Sequence, residues 1–256
     1  MDLLFGKFYF GDLFFFSIVV LVFLIITHQR DIFIKVIKIG TPGLIGGIIL
    51  AGGYFGYVYA MYNTTVANAN FIIQTQTIFL AIFGYIFLKE KISKLTMISI
   101  FLAIGGITLM LGGSLTAGQI NGNLAAFLMP ISFAILILIV RKFPEIDMIP
   151  LQLIAGIGAM ILGYVFSSKI IVSGHDIFLG FIAGFFQVGL GFIFITIGAR
   201  KTPLALVGII MLTEAVLGPL WAWLFINENP PLVVLFGGTV VLIAVLIQFF
   251  NRKIEN

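Results

Sequence analysis

The sequence predicts an all-α integral membrane protein of nine transmembrane helices, arranged as an inverted-topology repeat. Three observations predict it. Of its 256 residues 61% are hydrophobic and only 9% charged, too few charges to cover a soluble surface. Apolar runs of bilayer-spanning length recur along the whole chain between short polar or Gly/Pro breaks. The basic residues gather at alternate ends of those runs. Mean hydropathy is +1.22, and the pI of about 9.3 rests on a net charge of only +4, which gives nucleic-acid binding no support.

The runs fall at 11–27, 40–61, 66–88, 95–113, 121–140, 149–166, 176–198, 203–226 and 231–250. Each is helical because backbone groups inside lipid must be satisfied within the segment. The short, strictly alternating strands of a barrel are absent from the pattern. The first run follows Lys7 and Asp12 and ends at His28-Gln29-Arg30 without a small-residue cleavage site, so it reads as a retained helix rather than a signal peptide. The second is Gly-rich and carries Tyr54 and Tyr57. The third is unusually polar: Asn70, Gln74 and Thr77 at i, i+4 and i+7 form one stripe, with Gln76 on a different face. Polar groups in lipid must face protein or water, so this stripe points inward. Gln187 is the strongly polar side chain deep in the seventh helix, and Glu214 is the single acid within the uncharged eighth run.

Charge sets the orientation. Twelve of the fourteen Lys and Arg residues, from Arg30 to Lys253, lie at one set of alternate ends, and only Lys7 and Lys169 lie at the other. This places the C-terminus in the cytoplasm and the N-terminus outside, in a membrane expected to be the bacterial cytoplasmic (inner) membrane. With no cysteine there is no disulfide framework, thiolate metal site or Cys nucleophile. His28 and His175 fall at helix ends on opposite sides, and no phosphate-binding glycine loop is present. Neither a metal nor another cofactor is expected. The expected partners are a small-molecule substrate and the lipid bilayer, with no nucleic acid and with a homodimer left open.

A shift of 138 residues aligns 53–90 with 191–228 without a gap, with identities at Gly53/Gly191, Thr64/Thr202, Ala67/Ala205, Ile72/Ile210, Phe87/Phe225 and Glu90/Glu228. Gln76 aligns with Glu214. Glu90 sits between lysines, whereas Glu228 sits in a cation-free stretch, so the two copies face opposite ways. Inverted units of this kind are shared by many secondary transporters, with the site at mid-membrane between them. The units span 1–115, with four helices, and 119–251, with five, followed by a cytoplasmic tail at 252–256. An inverted five-helix repeat calls for a helix before residue 11. Either that helix is lacking or the start of the chain is recorded too late.

The stretches NTTVANANFIIQTQTIFLAIFGYIFLKEKIS with GGITLML, and ARKTPLALVGIIMLTEAVLGPLWAWLFINENP with GGTVVLI, resemble the EamA-type branch of the drug/metabolite transporter superfamily. The resemblance covers about 11–250. It implies a ten-helix inverted-repeat bundle, here with its first helix missing, that moves small metabolites, with an exporter of amino-acid-like compounds as the family-level expectation. That family often has Pro after the mid-helix acid and at the matching place in the first repeat; here Ala215 and Thr77 stand there, with Pro219 one turn on.

Glu214 heads the candidate site. A mid-membrane carboxylate costs about 2.5–3.5 kcal/mol on insertion scales, so it either holds a cationic group, carries a proton, or fixes packing. Trp221 lies two turns on along the same face and suits a cation–π contact, or equally an interfacial belt. The remaining candidates for substrate binding or coupling are Gln74, Asn70, Thr77, Gln76, Gln187, Tyr54 and Tyr57. As the one deep acid in this reading, Glu214 leaves an intramembrane enzyme without the paired carboxylates or His–nucleophile pair it needs, so no catalytic residue is assigned. A secondary transporter is the favoured function, and a non-transporting or partner-dependent membrane scaffold is the alternative.

Overall fold

A computed structural model describes residues 2–64, 66–112, 120–166, 173–226 and 232–255. Among them there are helices and no strands. In chain order these are α1 (Asp2–His28), α2 (Ile32–Lys38), α3 (Gly40–Asn63), α4 (Val66–Gln74), α5 (Gln76–Leu88), α6 (Lys94–Gly112), α7 (Ile120–Ala126) and α8 (Leu128–Lys142). The second part continues with α9 (Ile149–Phe166), α10 (Gly174–Phe181), α11 (Gly191–Ala199), α12 (Leu204–Met211), α13 (Thr213–Ile226) and α14 (Leu232–Glu255). A π-helical stretch, Ile182–Leu190, joins α10 to α11. Six of the helical passes are long and apolar enough to cross a membrane, and Lys94–Leu109, Leu204–Leu217 and Leu232–Ile247 form shorter apolar helices.

Two elements differ from the expected spans. Helix α1 starts at Asp2 rather than at residue 11, which carries Asp12 about 15 Å along the helix at 1.5 Å per residue. After a single 3-10 turn, Gln29–Asp31, the short α2 lies between the first two passes. Its Phe33 and Ile37 are exposed beside Lys35 and Lys38, the composition of a helix that rests at the membrane–water interface.

The core forms where α1, α3, α8, α9 and α11 meet. Phe16, Leu24, Leu50, Phe133, Leu136, Ile137, Met148, Leu151 and Ile193 are completely buried there. A second cluster, Ala103, Ile107, Leu212, Val241 and Ala244, joins α6 and α14 to the α12–α13 junction. Large apolar side chains such as Ile26, Ile48, Phe101, Tyr164 and Phe194 face outward, as a lipid-contacting surface requires. Lipid tails are as apolar as the core, so close packing and small residues hold such a bundle together rather than hydrophobic transfer. Gly180 and Gly184 show this. A Cβ on Gly184 would stand 2.1 Å from the carbonyl oxygen of Asp12, and one on Gly180 would stand 3.0 Å from the Gly11 backbone. Helix α1 therefore rests directly on the backbone of α10 and the π-helical stretch.

Helices 138 residues apart also touch: α1 packs on α9, α5 on α12, and α6 on α14. The two members of the α5–α12 pair are interrupted at equivalent places. α4 gives way to α5 at Thr75, and α12 to α13 at Leu212. Thr75 Oγ1 donates to the Ile72 carbonyl (2.5 Å) and Thr213 Oγ1 to the Ile210 carbonyl (2.7 Å). Thr75 and Thr213 are themselves 138 residues apart, an identity that the sequence holds beside Ile72/Ile210. A threonine hydroxyl bonded back to the preceding turn bends a helix, so each kink arises without proline.

Candidate functional site

A cavity of about 560 Å³ opens between the helices. Its wall includes Asp12 and Leu13 of α1, Tyr54, Tyr57 and Val58 of α3, Asn70, Ile73 and Gln74 of α4, and Gln76 of α5. Gln187 and Val188 of the π-helical stretch, Phe192 of α11, Met211 of α12 and Glu214 of α13 face them. The two kinks and the π-helical stretch all border this space. The kinks at Thr75 and Leu212 put Gln76 and Glu214 at its edge. The wider π turn does the same for Gln187, in a type of distortion frequent at functional sites.

The structure thus brings Asn70, Gln74, Gln76, Gln187, Glu214, Tyr54 and Tyr57 to one wall. Thr77 is not there. The kink at Thr75 breaks the continuous 70/74/77 stripe and turns Gln76 inward, while Thr77, fully buried, donates to the Gly208 carbonyl (3.1 Å). The backbones are close enough that a Cβ on Gly208 would stand 2.9 Å from the Thr77 Cα, so Thr77 belongs to the α5–α12 contact. Trp221 lies in α13, but its side chain is outside the described residues, as is Glu228. Asp12 is the correction to a single-acid reading: it shares the wall with Glu214 because α1 begins nine residues earlier than the hydropathy break suggests. The Lys7–Asp12 pair inside an otherwise apolar run was the available signal. Tyr57 stands within electrostatic reach of both carboxylates.

Hydrogen bonding separates this wall from the other buried polar groups. Outside the cavity, Gln152 donates to Thr196 (2.9 Å), Thr196 to the Phe192 carbonyl (2.7 Å), and Ser132 to the Leu128 and Ile49 carbonyls. On the wall, the side chains of Asp12, Tyr57, Asn70, Gln76, Gln187 and Glu214 make no hydrogen bond to any described residue. The Gln74 carbonyl oxygen is buried and unpaired, and Gln76 is only 4% exposed. Buried polar groups are normally paired, and an unpaired one costs about 1–3 kcal/mol. A ring of them around a cavity is a surface prepared for a ligand or for water.

The cation-rich end is closed by ion pairs. Arg141 Nε meets Glu90 Oε1 (3.1 Å), and its Nη1 donates to the Arg200 carbonyl (3.1 Å). Arg200 in turn pairs with Asp147, which also meets His28 Nε2 (2.6 Å) and accepts from the Ile149 amide (3.2 Å). Lys89 ends α5 in the left-handed region (φ 55°), and this aims Glu90 at α12, where Oε2 accepts from the Leu204 amide (2.9 Å). The ends of α1, α5, α8, α9 and α12 are thereby tied together. Fully buried Leu136, Ile137, Val140, Met148, Leu151 and Leu204 fill the bundle on that side.

A family model described as the EamA-like transporter family matches residues 4–112 and again 118–250, and the chain belongs to that family. The chain is also 24% identical over 213 residues to an uncharacterized transporter of Methanothermobacter thermautotrophicus, a match covering 77% of this chain and 60% of that protein. The chain spans, then, less than two thirds of that relative's length. A protein of known crystal structure shares the fold over 94% of this chain and 87% of its own, with a TM-score of 0.82 at 17% identity.

Proposed function

We propose that this member of the EamA-like transporter family is a secondary transporter of a small polar or amphipathic metabolite, and that the central cavity is its substrate site. The single observation that carries the reading is the wall of unpartnered polar side chains at the two kinks. A structural role would leave those groups bonded to one another, as Gln152 and Thr196 are.

In this reading the chain crosses a cytoplasmic membrane nine times, with its C-terminus in the cytoplasm, as two units of opposite orientation, 1–115 and 119–251. The units exchange the cavity between the two sides by rocking about the kinks at Thr75 and Leu212. The ion pairs of Glu90, Arg141, Asp147 and Arg200 hold the cytoplasmic end shut in the conformation described, so the cavity faces outward. No nucleotide-binding motif is present in the sequence, so the driving force is a substrate gradient, exchange or a proton taken up by a wall carboxylate. The family-level expectation of an amino-acid-like substrate meets one difficulty: among the described residues, no Lys, Arg or His lines the cavity to receive a carboxylate.

Counterflow in proteoliposomes tests the reading, using a panel of amines, amino acids and nucleosides with wild type and Glu214→Gln. Saturable flux of at least one compound, lost in the variant with insertion intact, is expected. Flux through wild type and variant at equal rates would remove the cavity from the pathway.

A further inference from the structure

The wall carries two carboxylates, Asp12 and Glu214, and no lining cation among the described residues. Neither acid is paired or hydrogen-bonded to a described side chain. Carboxylates held away from bulk water need a counter-charge or a proton. Gln76, 96% buried and unpartnered, presents its amide to the same space, and the buried Gln74 carbonyl oxygen is an acceptor in want of a donor. The wall is thus rich in acceptors: two carboxylates and the amide oxygens of Asn70, Gln74, Gln76 and Gln187. An ammonium group brings three donors and no acceptor. Between the acids run apolar surfaces, Leu13, Ile73, Val188 and Met211, suited to methylene groups, and the rings of Tyr57 and Phe192 suit a cation.

We propose that the substrate is a linear dication of the diamine class, one ammonium on Glu214 and the other on Asp12, with its methylene chain along the apolar wall. The proposal rests on the transporter reading for its physiological meaning and on the cavity chemistry for its content. Asp12 is the second anionic subsite. Its place is fixed by the backbone contact of α1 with Gly184, three residues from Gln187.

The test is equilibrium binding of 1,4-diaminobutane, butylamine, leucine and succinate to the purified full chain in nanodiscs, for wild type, Asp12→Asn and Glu214→Gln. Wild type binds the diamine about tenfold or more tighter than butylamine, or about 1.4 kcal/mol for each factor of ten. Asp12→Asn removes that advantage and leaves butylamine affinity within about twofold, whereas Glu214→Gln weakens both amines. Asp12→Glu, which keeps the charge and adds one methylene, restores the advantage and moves the preferred diamine to one carbon shorter. Equal affinity for diamine and monoamine in wild type overturns the proposal, as does tighter binding of leucine or succinate, or an Asp12→Asn profile identical to wild type. Counterflow separates the two readings. Saturable leucine flux that the diamine does not inhibit retains the transporter and overturns the dication. Asp12-dependent diamine binding without flux retains the dication site and overturns transport.

Discussion

Replacing Gly184 by alanine tests whether the contact between α1 and the π-helical stretch positions the cavity. The added Cβ would stand 2.1 Å from the Asp12 carbonyl oxygen, 2.9 Å from its carbonyl carbon and 3.0 Å from its Cα. All three are backbone atoms, so no flexible side chain can yield. An ordinary carbon contact lies near 3.5 Å. Helix α1 must therefore withdraw by about 1–1.5 Å, taking Asp12 with it. Overpacking of this kind costs about 1–3 kcal/mol, which lowers the melting temperature by several degrees in a chain of this size. Controls lie on the same pass: Cβ atoms on Gly191 and Gly198 would meet nothing within 4 Å. Thermal unfolding in nanodiscs, with counterflow of the transported compound per folded protein, is the assay. Gly184→Ala should lose both stability and flux, while Gly191→Ala and Gly198→Ala match wild type in stability. A Gly184→Ala protein indistinguishable from the controls in both would refute the packing argument.

Gln76→Leu should lose substrate affinity with its melting temperature unchanged or raised, because its amide has no described protein partner. Gln152→Leu should do the reverse, costing about 0.6–2 kcal/mol by freeing Thr196 of its donor while flux per folded protein holds. Thr75→Val and Thr213→Val each remove a hydroxyl bonded to the preceding turn. Turnover in counterflow should fall more than substrate affinity does, and an affinity loss with unchanged turnover would assign the threonines to the site instead. Asp147→Asn weakens an acceptor shared by Arg200, His28 and the Ile149 amide. Since the chain has no cysteine, an Ala155→Cys reporter in the buried face of α9 can be read alone. Its labelling from the cytoplasmic side should rise in the Asp147→Asn background, and unaltered labelling would deny the ion pairs a gating role.

Much of the wall is legible in the sequence for one physical reason. A polar side chain within a lipid-spanning run must face protein or water, and Asn70, Gln74, Gln76, Gln187 and Glu214 all stand in such runs. Register is less legible. A uniform helical period carries the Asn70/Gln74 stripe on to Thr77, but the Thr75 hydroxyl shifts the following helix so that Gln76 turns in and Thr77 turns to Gly208. The signal for that kink is the Thr75/Thr213 identity in the 138-residue register, which becomes meaningful only once both hydroxyls are seen bonded to equivalent carbonyls. Asp12 escapes a hydropathy reading because a charge near the start of an apolar run looks like the mouth of a span. Its depth follows from α1 beginning at Asp2. The ion pairs of Glu90, Arg141, Asp147, Arg200 and His28 are legible only as a basic flank, since which partners meet depends on the tertiary arrangement of five helix ends.

The central claim is that the substrate passes through the cavity. The most direct test is a single-cysteine block at an apolar wall position. Ile73→Cys in the cysteine-free chain places one thiol beside Gln74 and Asn70. Modification by a membrane-impermeant methanethiosulfonate in proteoliposomes should abolish counterflow, and saturating substrate should slow the modification. Complete modification with flux and substrate affinity unchanged would contradict a pathway through this cavity.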